Sequence, residues 1–170
     1  MNTIAHYRCP LGRVEIHVSQ NAVNSVRLYQ EDNANEANIQ PDVSTNADST
    51  ILNECIRQLE EYFSGQRTIF DLPVSQHGTE FQQRVWDVLK TIPYGKTVNY
   101  AEVAKRINAP KSARAVGVAC GKNKVWIIVP CHRVIGADGS LTGYAGGLEC
   151  KKWLLDHENN VLKKNHSTRL

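Results

Sequence analysis

The hydrophobic positions change period along the chain, and the changes mark out elements. Val14, Ile16 and Val18 alternate with Glu15 and His17, the two-residue period of a strand with one buried face. Gln20-Asn21 reads as a turn, with Val23, Val26 and Leu28 forming a second strand beyond it. Glu31 to Ser49 is polar, rich in Asn and Asp and without period, which predicts a loop or linker. Ile51, Leu52, Cys55, Ile56, Leu59, Tyr62 and Phe63 then return at helical spacing, and Ser64-Gly65 ends that helix.

A boundary falls between Leu72 and Gly78, which divides the chain into residues 1–77 and 78–170. Thr79 with Gln82 three residues on is a capping box, and Phe81, Val85, Trp86, Leu89 and Ile92 form the apolar stripe of the helix it starts. Pro93-Tyr94-Gly95 stops that helix. Tyr100 to Ile107 reads as a short helix, Asn108-Ala109-Pro110 as a turn, and Ser112 as the cap of a second short helix through Ala119. Two short helices on a tight turn predict a helix-turn-helix. Its second helix is mostly Ala and Gly with one arginine, Arg114, and so has few side chains for reading bases in a major groove. Val125-Trp126-Ile127-Ile128-Val129 is fully apolar and strand-like, leading into Pro130-Cys131-His132-Arg133. Trp153 to Glu158 has helical period. The expected fold class is α/β in the looser α+β sense: a small N-terminal sheet-plus-helix domain, then a mainly helical domain that carries the helix-turn-helix and Cys131.

Charge sharpens this division. Residues 1–77 hold five arginines, no lysine and ten acidic residues, a net −5. Residues 78–170 hold fifteen basic and seven acidic residues, a net +8, which points to a polyanionic partner for the second half. No apolar run approaches the roughly 18 residues needed to span a bilayer, and Met1 to His6 has no secretory pattern, so a cytoplasmic protein without a membrane partner is expected. The five cysteines are odd in number and lack CxxC spacing, which argues against a disulfide framework or a metal site. One thiol stands apart: Cys131 follows a proline and an apolar run and precedes His132, a possible base, and Arg133, a fixed positive charge. Nearby cations lower a thiol pKa, and a thiolate suits attack at saturated carbon.

Pro130-Cys131-His132-Arg133-Val134 resembles the active-site motif of the O6-alkylguanine-DNA alkyltransferases (methylated-DNA–protein-cysteine methyltransferases). The likeness runs in order and spacing through Phe81-Gln82, Val85-Trp86, Ile92-Pro93, Gly95, Tyr100, Ala113 to Gly117, Asn123, Gly143-Tyr144, Gly146-Gly147, Lys151 and His157-Glu158. It covers residues 79–159; the N-terminal half is similar only in size and character.

The resemblance implies direct-reversal repair, a stoichiometric and irreversible transfer of an alkyl group from O6 of guanine, or O4 of thymine, in duplex DNA to Cys131 after base flipping. It implies a ribonuclease-H-like N-terminal domain, no cofactor, no metal, and a monomer acting on double-stranded DNA that contains O6-alkylguanine. His132 would polarise Cys131 through a water, and Glu158 would orient the imidazole. Tyr100 would donate to the leaving base, and Asn123 would brace the turn. Arg114 would fill the gap in the base stack, and Ala113 and Gly117 would permit close approach to the minor groove. Tyr144, Ala145, Gly146, Val134 and Trp126 would line the guanine pocket. Lys124 and Trp126 stand where proline is common, and Ala145 where some members have Ser. Two other readings remain: a damage-sensing DNA-binding protein that does no chemistry, and a cysteine hydrolase using Cys131 with His132 or His157.

Overall fold

The computed structural model describes residues 2–29 and 50–168. Two compact units emerge. One holds the described residues up to Gln76 together with Lys124–Trp126; the other holds His77–Asn123 and the described residues from Ile127 onward. The predicted loop from Glu31 to Ser49 lies outside the described residues.

The first unit is an antiparallel sheet of three strands, β1 (Asn2–Cys9), β2 (Gly12–Ser19) and β3 (Ala22–Tyr29), in sequential order, with α1 (Thr50–Phe63) packed on it. Gln20 and Asn21 both take positive φ, 52° and 59°, as a two-residue hairpin turn of the strand-compatible hand requires. Val23 and Val26 break a strict alternation, and the register explains why. A bulge leaves Val18 opposite Val23 and Ile16 opposite Val26, so both valines reach the buried face. The hydrophobic pattern does not announce β1: Ala5 is its only fully buried side chain, and Ile4 lies on the solvent side. Two segments cover the free edge of β3. Val23 bridges Val74, and Val26 bridges Val125, which is how Lys124–Trp126 joins this unit.

In the second unit, α2 (Glu80–Lys90) begins with the predicted capping box: the Thr79 hydroxyl accepts from the Gln82 N–H at 3.2 Å, and the Gln82 amide oxygen accepts from the Thr79 N–H at 3.0 Å. The helix-turn-helix follows as α3 (Tyr100–Arg106) and α4 (Ala113–Gly121), with Asn108 at positive φ in the turn. Ser112 occupies the cap position of α4, but its hydroxyl donates back to the Ala109 carbonyl at 2.6 Å and makes no cap bond. A two-residue parallel pair, β4 (Val98–Asn99) with β5 (Val134–Ile135), joins the approach to α3 to the segment after Cys131. The chain ends in α5 (Leu148–Ser167).

The run Val125–Val129 is buried but is not a strand. Val125 makes a single bridge, the next residues turn, and Ile127 sits at φ 72°, a backbone region that β-branched residues seldom adopt. Apolarity there records burial, not conformation. Cys131 therefore follows a buried turn, and it opens a 3-10 turn of three residues, Cys131–Arg133.

Candidate active site

Pro130 shapes the approach to Cys131. At φ −83° and ψ 64° it centres a three-residue turn in which the Cys131 N–H donates to the Val129 carbonyl at 2.9 Å. The ring of proline sets that φ at little entropic cost. The 3-10 turn then places Cys131, His132 and Arg133 in succession, all buried. The side-chain amide of Asn123, just past the end of α4, donates both to the Val129 carbonyl at 2.9 Å and to the Cys131 sulfur at 3.3 Å.

Behind the cysteine lies a buried charged cluster. His132 Nε2 is 2.7 Å from Glu158 Oε1, and both side chains are fully buried. The Arg133 guanidinium donates to the same carboxylate through Nε at 3.0 Å and Nη2 at 2.9 Å, and to the Ile92 carbonyl through Nη1 at 2.6 Å. It also stacks 5.5 Å over the Tyr94 ring. The Gly95 N–H completes the set at 3.0 Å from Glu158 Oε2. Burial by itself would raise the Glu158 pKa, but the hydrogen bonds from His132 and Arg133 and the Arg133 charge outweigh it and hold the group well below the usual carboxylate range. Burial pushes the His132 imidazole the other way, below its ordinary value, only partly offset by Glu158. A neutral ring that donates from Nε2 to the carboxylate leaves Nδ1 as its basic atom. That Nδ1 is buried and makes no hydrogen bond with a described residue.

Arg133 is thus committed to Glu158, and the cation acting on Cys131 is Lys151. The thiol pKa is raised, not lowered: burial dominates, and the Asn123 hydrogen bond and the Lys151 charge only moderate it. Proton removal by a neighbouring base, rather than a standing thiolate, is the activation this environment allows. Lys151 itself is almost completely buried, with Nζ donating to the Val134 carbonyl at 2.6 Å and the Thr142 carbonyl at 2.8 Å. Its place in the sequence carried a signal. Lys151, Leu154, Glu158 and Val161 fall on one buried face of α5, so two charged residues sit inside an apolar stripe.

Tyr100 opens α3, whose cap is Asn99, and its hydroxyl meets Thr142. The Tyr100 ring lies against Gly117, where an added Cβ would rest in ordinary contact 3.7 Å from the ring. Arg114 is exposed on α4; Ala113 and Gly117 are half-buried, and Val118 is exposed. Tyr144 buries its hydroxyl, Ala145 is exposed, and Gly146 is half-buried, in a loop where Gly147 takes φ 91°. Val134 is buried, and Lys151 already occupies one lone pair of its carbonyl. Trp126 belongs to the sheet unit, its N–H donating to the Val26 carbonyl at 3.0 Å. Among the described residues no three His, Cys, Asp or Glu side chains group as metal ligands, and no helix is long and apolar enough to cross a membrane.

Residues 80–160 match the family described as 6-O-methylguanine DNA methyltransferase, DNA binding domain. Residues 3–76 match the ribonuclease-like domain of the same family, a likeness the N-terminal hydrophobic pattern alone did not reveal. A methylated-DNA–protein-cysteine methyltransferase of Methanosarcina acetivorans is 56% identical over 107 residues, 63% of this chain and 69% of that protein. The crystal structure of Mycobacterium tuberculosis O6-methylguanine methyltransferase is 40% identical, with a TM-score of 0.79 over 94% of each chain. The M. tuberculosis protein OGT in complex with DNA is 41% identical, with a TM-score of 0.77 over 92% of each chain. Both halves of the chain therefore match one family, and the chain belongs to the 6-O-methylguanine DNA methyltransferases.

Proposed function

We propose that Cys131 is the alkyl acceptor through which this chain carries out its family's activity, repair of DNA by transfer of an alkyl group to a cysteine of the protein. The observation that carries the assignment is the pairing inside one buried turn. A thiol held by Asn123 is followed by a histidine whose Nε2 is locked to Glu158 and whose Nδ1 is left basic. In the transfer the Cys131 sulfur attacks the alkyl carbon as its bond to guanine O6 breaks, and the thiol proton passes through one water to His132 Nδ1. The Tyr100 hydroxyl gives its proton to the departing guanine, which keeps its O6, and the phenolate regains a proton from solvent as His132 releases the one it took from the thiol. The product is a thioether, a poor leaving group, so each chain acts once.

The alkylated O6 lies inside the duplex, so the nucleotide must leave the stack to be reached. Arg114, exposed on α4, is the residue to occupy the space it vacates, and the small Ala113 and Gly117 let that helix approach the minor groove. Tyr144, Ala145, Gly146 and Val134 are the walls offered to the flipped base. One chain carries all these residues, so a monomer suffices. Mixing the protein with duplex DNA bearing O6-methylguanine should add one methyl group per chain, located at Cys131 by intact and peptide mass. Unmodified protein, or methyl on another residue, overturns the assignment, and Cys131→Ala should remain unmodified.

A further inference from the structure

Among the described residues the Tyr100 hydroxyl has two hydrogen-bond partners, both from Thr142. The Thr142 hydroxyl donates to Tyr100 Oη at 3.0 Å, and the Thr142 carbonyl lies 3.5 Å from the same oxygen, at the limit of a hydrogen bond. That carbonyl already accepts a shorter, charged bond of 2.8 Å from the buried Lys151 ammonium, which also grips the Val134 carbonyl. A phenol has one proton to give and lone pairs to receive. Here a lone pair is taken by the Thr142 hydroxyl, and with that hydroxyl donating, the acceptor left to the phenol proton among the described residues, the Thr142 carbonyl, is distant and shared.

We infer that Thr142 is a positioning residue for the alkyl transfer: its hydroxyl fills the acceptor side of Tyr100, so that the phenol presents its proton to an acceptor atom of the departing base. Lys151 assists by drawing the Thr142 carbonyl away from that proton and by fixing the segment that carries Thr142. The same donor bond stabilises negative charge on the Tyr100 oxygen, which burial otherwise disfavours, and so makes the hydroxyl a better acid as the base leaves. This inference rests on the reading of Tyr100 as the donor to the leaving guanine. Thr142 was not among the candidates from sequence, since one threonine in a glycine-containing loop carries no signal by itself.

Thr142 is exposed, and valine has its shape without its hydroxyl, so Thr142→Val should fold normally. The test measures the rate of Cys131 alkylation by free O6-benzylguanine in the wild type, Thr142→Val, Thr142→Ser, Tyr100→Phe and the Tyr100→Phe/Thr142→Val double variant. Loss of one neutral hydrogen bond should slow Thr142→Val by about three- to tenfold. Thr142→Ser should restore most of the rate, and Thr142→Val should cost nothing further once Tyr100 is Phe. The Tyr100 titration, followed by NMR of ring-labelled tyrosine, should move upward in Thr142→Val, a shift that simple loosening of the loop would not produce. If Tyr100→Phe reacts at the wild-type rate, the donor reading fails and this inference with it. If Tyr100→Phe is slow while Thr142→Val is normal, or if the two losses multiply in the double variant, the Thr142 role alone is overturned.

Discussion

Glu158 shows how one side chain can serve folding and chemistry together. Its two oxygens receive His132, both reachable arms of Arg133 and the Gly95 amide, so the carboxylate is kept ionised in a place where burial alone would neutralise it. Its charge in turn keeps the proton of His132 on Nε2 and supports basicity at Nδ1. Glu158→Gln retains the shape but removes the charge. With the amide oxygen toward Gly95, the Gly95 N–H and Arg133 Nε keep an acceptor, while Arg133 Nη2 and the imidazole face an amide NH2 that only donates. The alkylation rate of Cys131 by O6-benzylguanine near pH 7 should fall at least about tenfold, part of the roughly hundredfold that is the lower end of what a positioned base supplies. Leaving Arg133 buried beside a neutral group should also cost about 3–5 kcal/mol of stability, so circular dichroism must first establish that the variant is folded. An unchanged rate in folded Glu158→Gln would remove Glu158 from the activation of the thiol.

The element proposed to bring DNA to this site is α4, and its exposed surface is spare: Arg114, Ala115 and Val118 lie outward, with half-buried Gly117 against the Tyr100 ring. A helix so built cannot read much sequence, which suits repair of a lesion wherever it falls. Arg114→Ala should slow repair of O6-methylguanine in duplex DNA by about tenfold or more while leaving reaction with free O6-benzylguanine within twofold, because extrusion of a stacked nucleotide costs a few kcal/mol only in the duplex. Parallel rate measurements on the two substrates make the comparison, and equal slowing would count against a role in the gap. The helices here were legible because their periods, the capping box at Thr79 and the stop at Gly95 are local signals. Three features were not, two because of long-range packing and one because a nearby carbonyl competes for a hydroxyl. β1 buries only Ala5 completely and so shows no alternation; Val125 to Val129 is apolar because it turns inside the core; and the Ser112 hydroxyl finds the Ala109 carbonyl instead of capping. The site divided the same way. Cys131, His132 and Glu158 were named from motif and spacing, but the partner of Arg133 and the reach of Lys151 depend on how α5 packs against the 3-10 turn, which no local pattern encodes.

Across the whole chain the charge is segregated, acidic in residues 1–77 and basic in 78–170, and the basic half is the one that matches the DNA-binding domain of the family. The buried cluster imposes a second, pH-dependent property. His132 has a folded pKa below its ordinary value, so its contribution to stability is complete above the unfolded histidine value of about 6.5 and is lost as pH falls through the folded value. Glu158 is depressed as well, and its contribution, complete above the unfolded carboxylate value of about 4.3, is lost at still lower pH. The exposed carboxylates Glu54 and Glu61 are also lowered by their arginine partners, but solvent and salt screen those pairs, so they add little. Both buried groups therefore act in the same direction and in sequence. Urea midpoints measured from pH 7.5 to pH 4 should be level at first, then decline below about 6.5 as the unfolded chain takes up the His132 proton, and decline more steeply below about 4.5. A midpoint that rose or held constant between pH 7 and pH 5 would mean that His132 is charged in the folded protein. In that case its Nδ1 could not accept the Cys131 proton, and the activation proposed here would lose its base. Acid sensitivity of the fold and basicity of the active-site ring have one cause, the burial of a neutral imidazole against an ionised carboxylate, and a stability measurement made without any substrate can therefore test the chemistry.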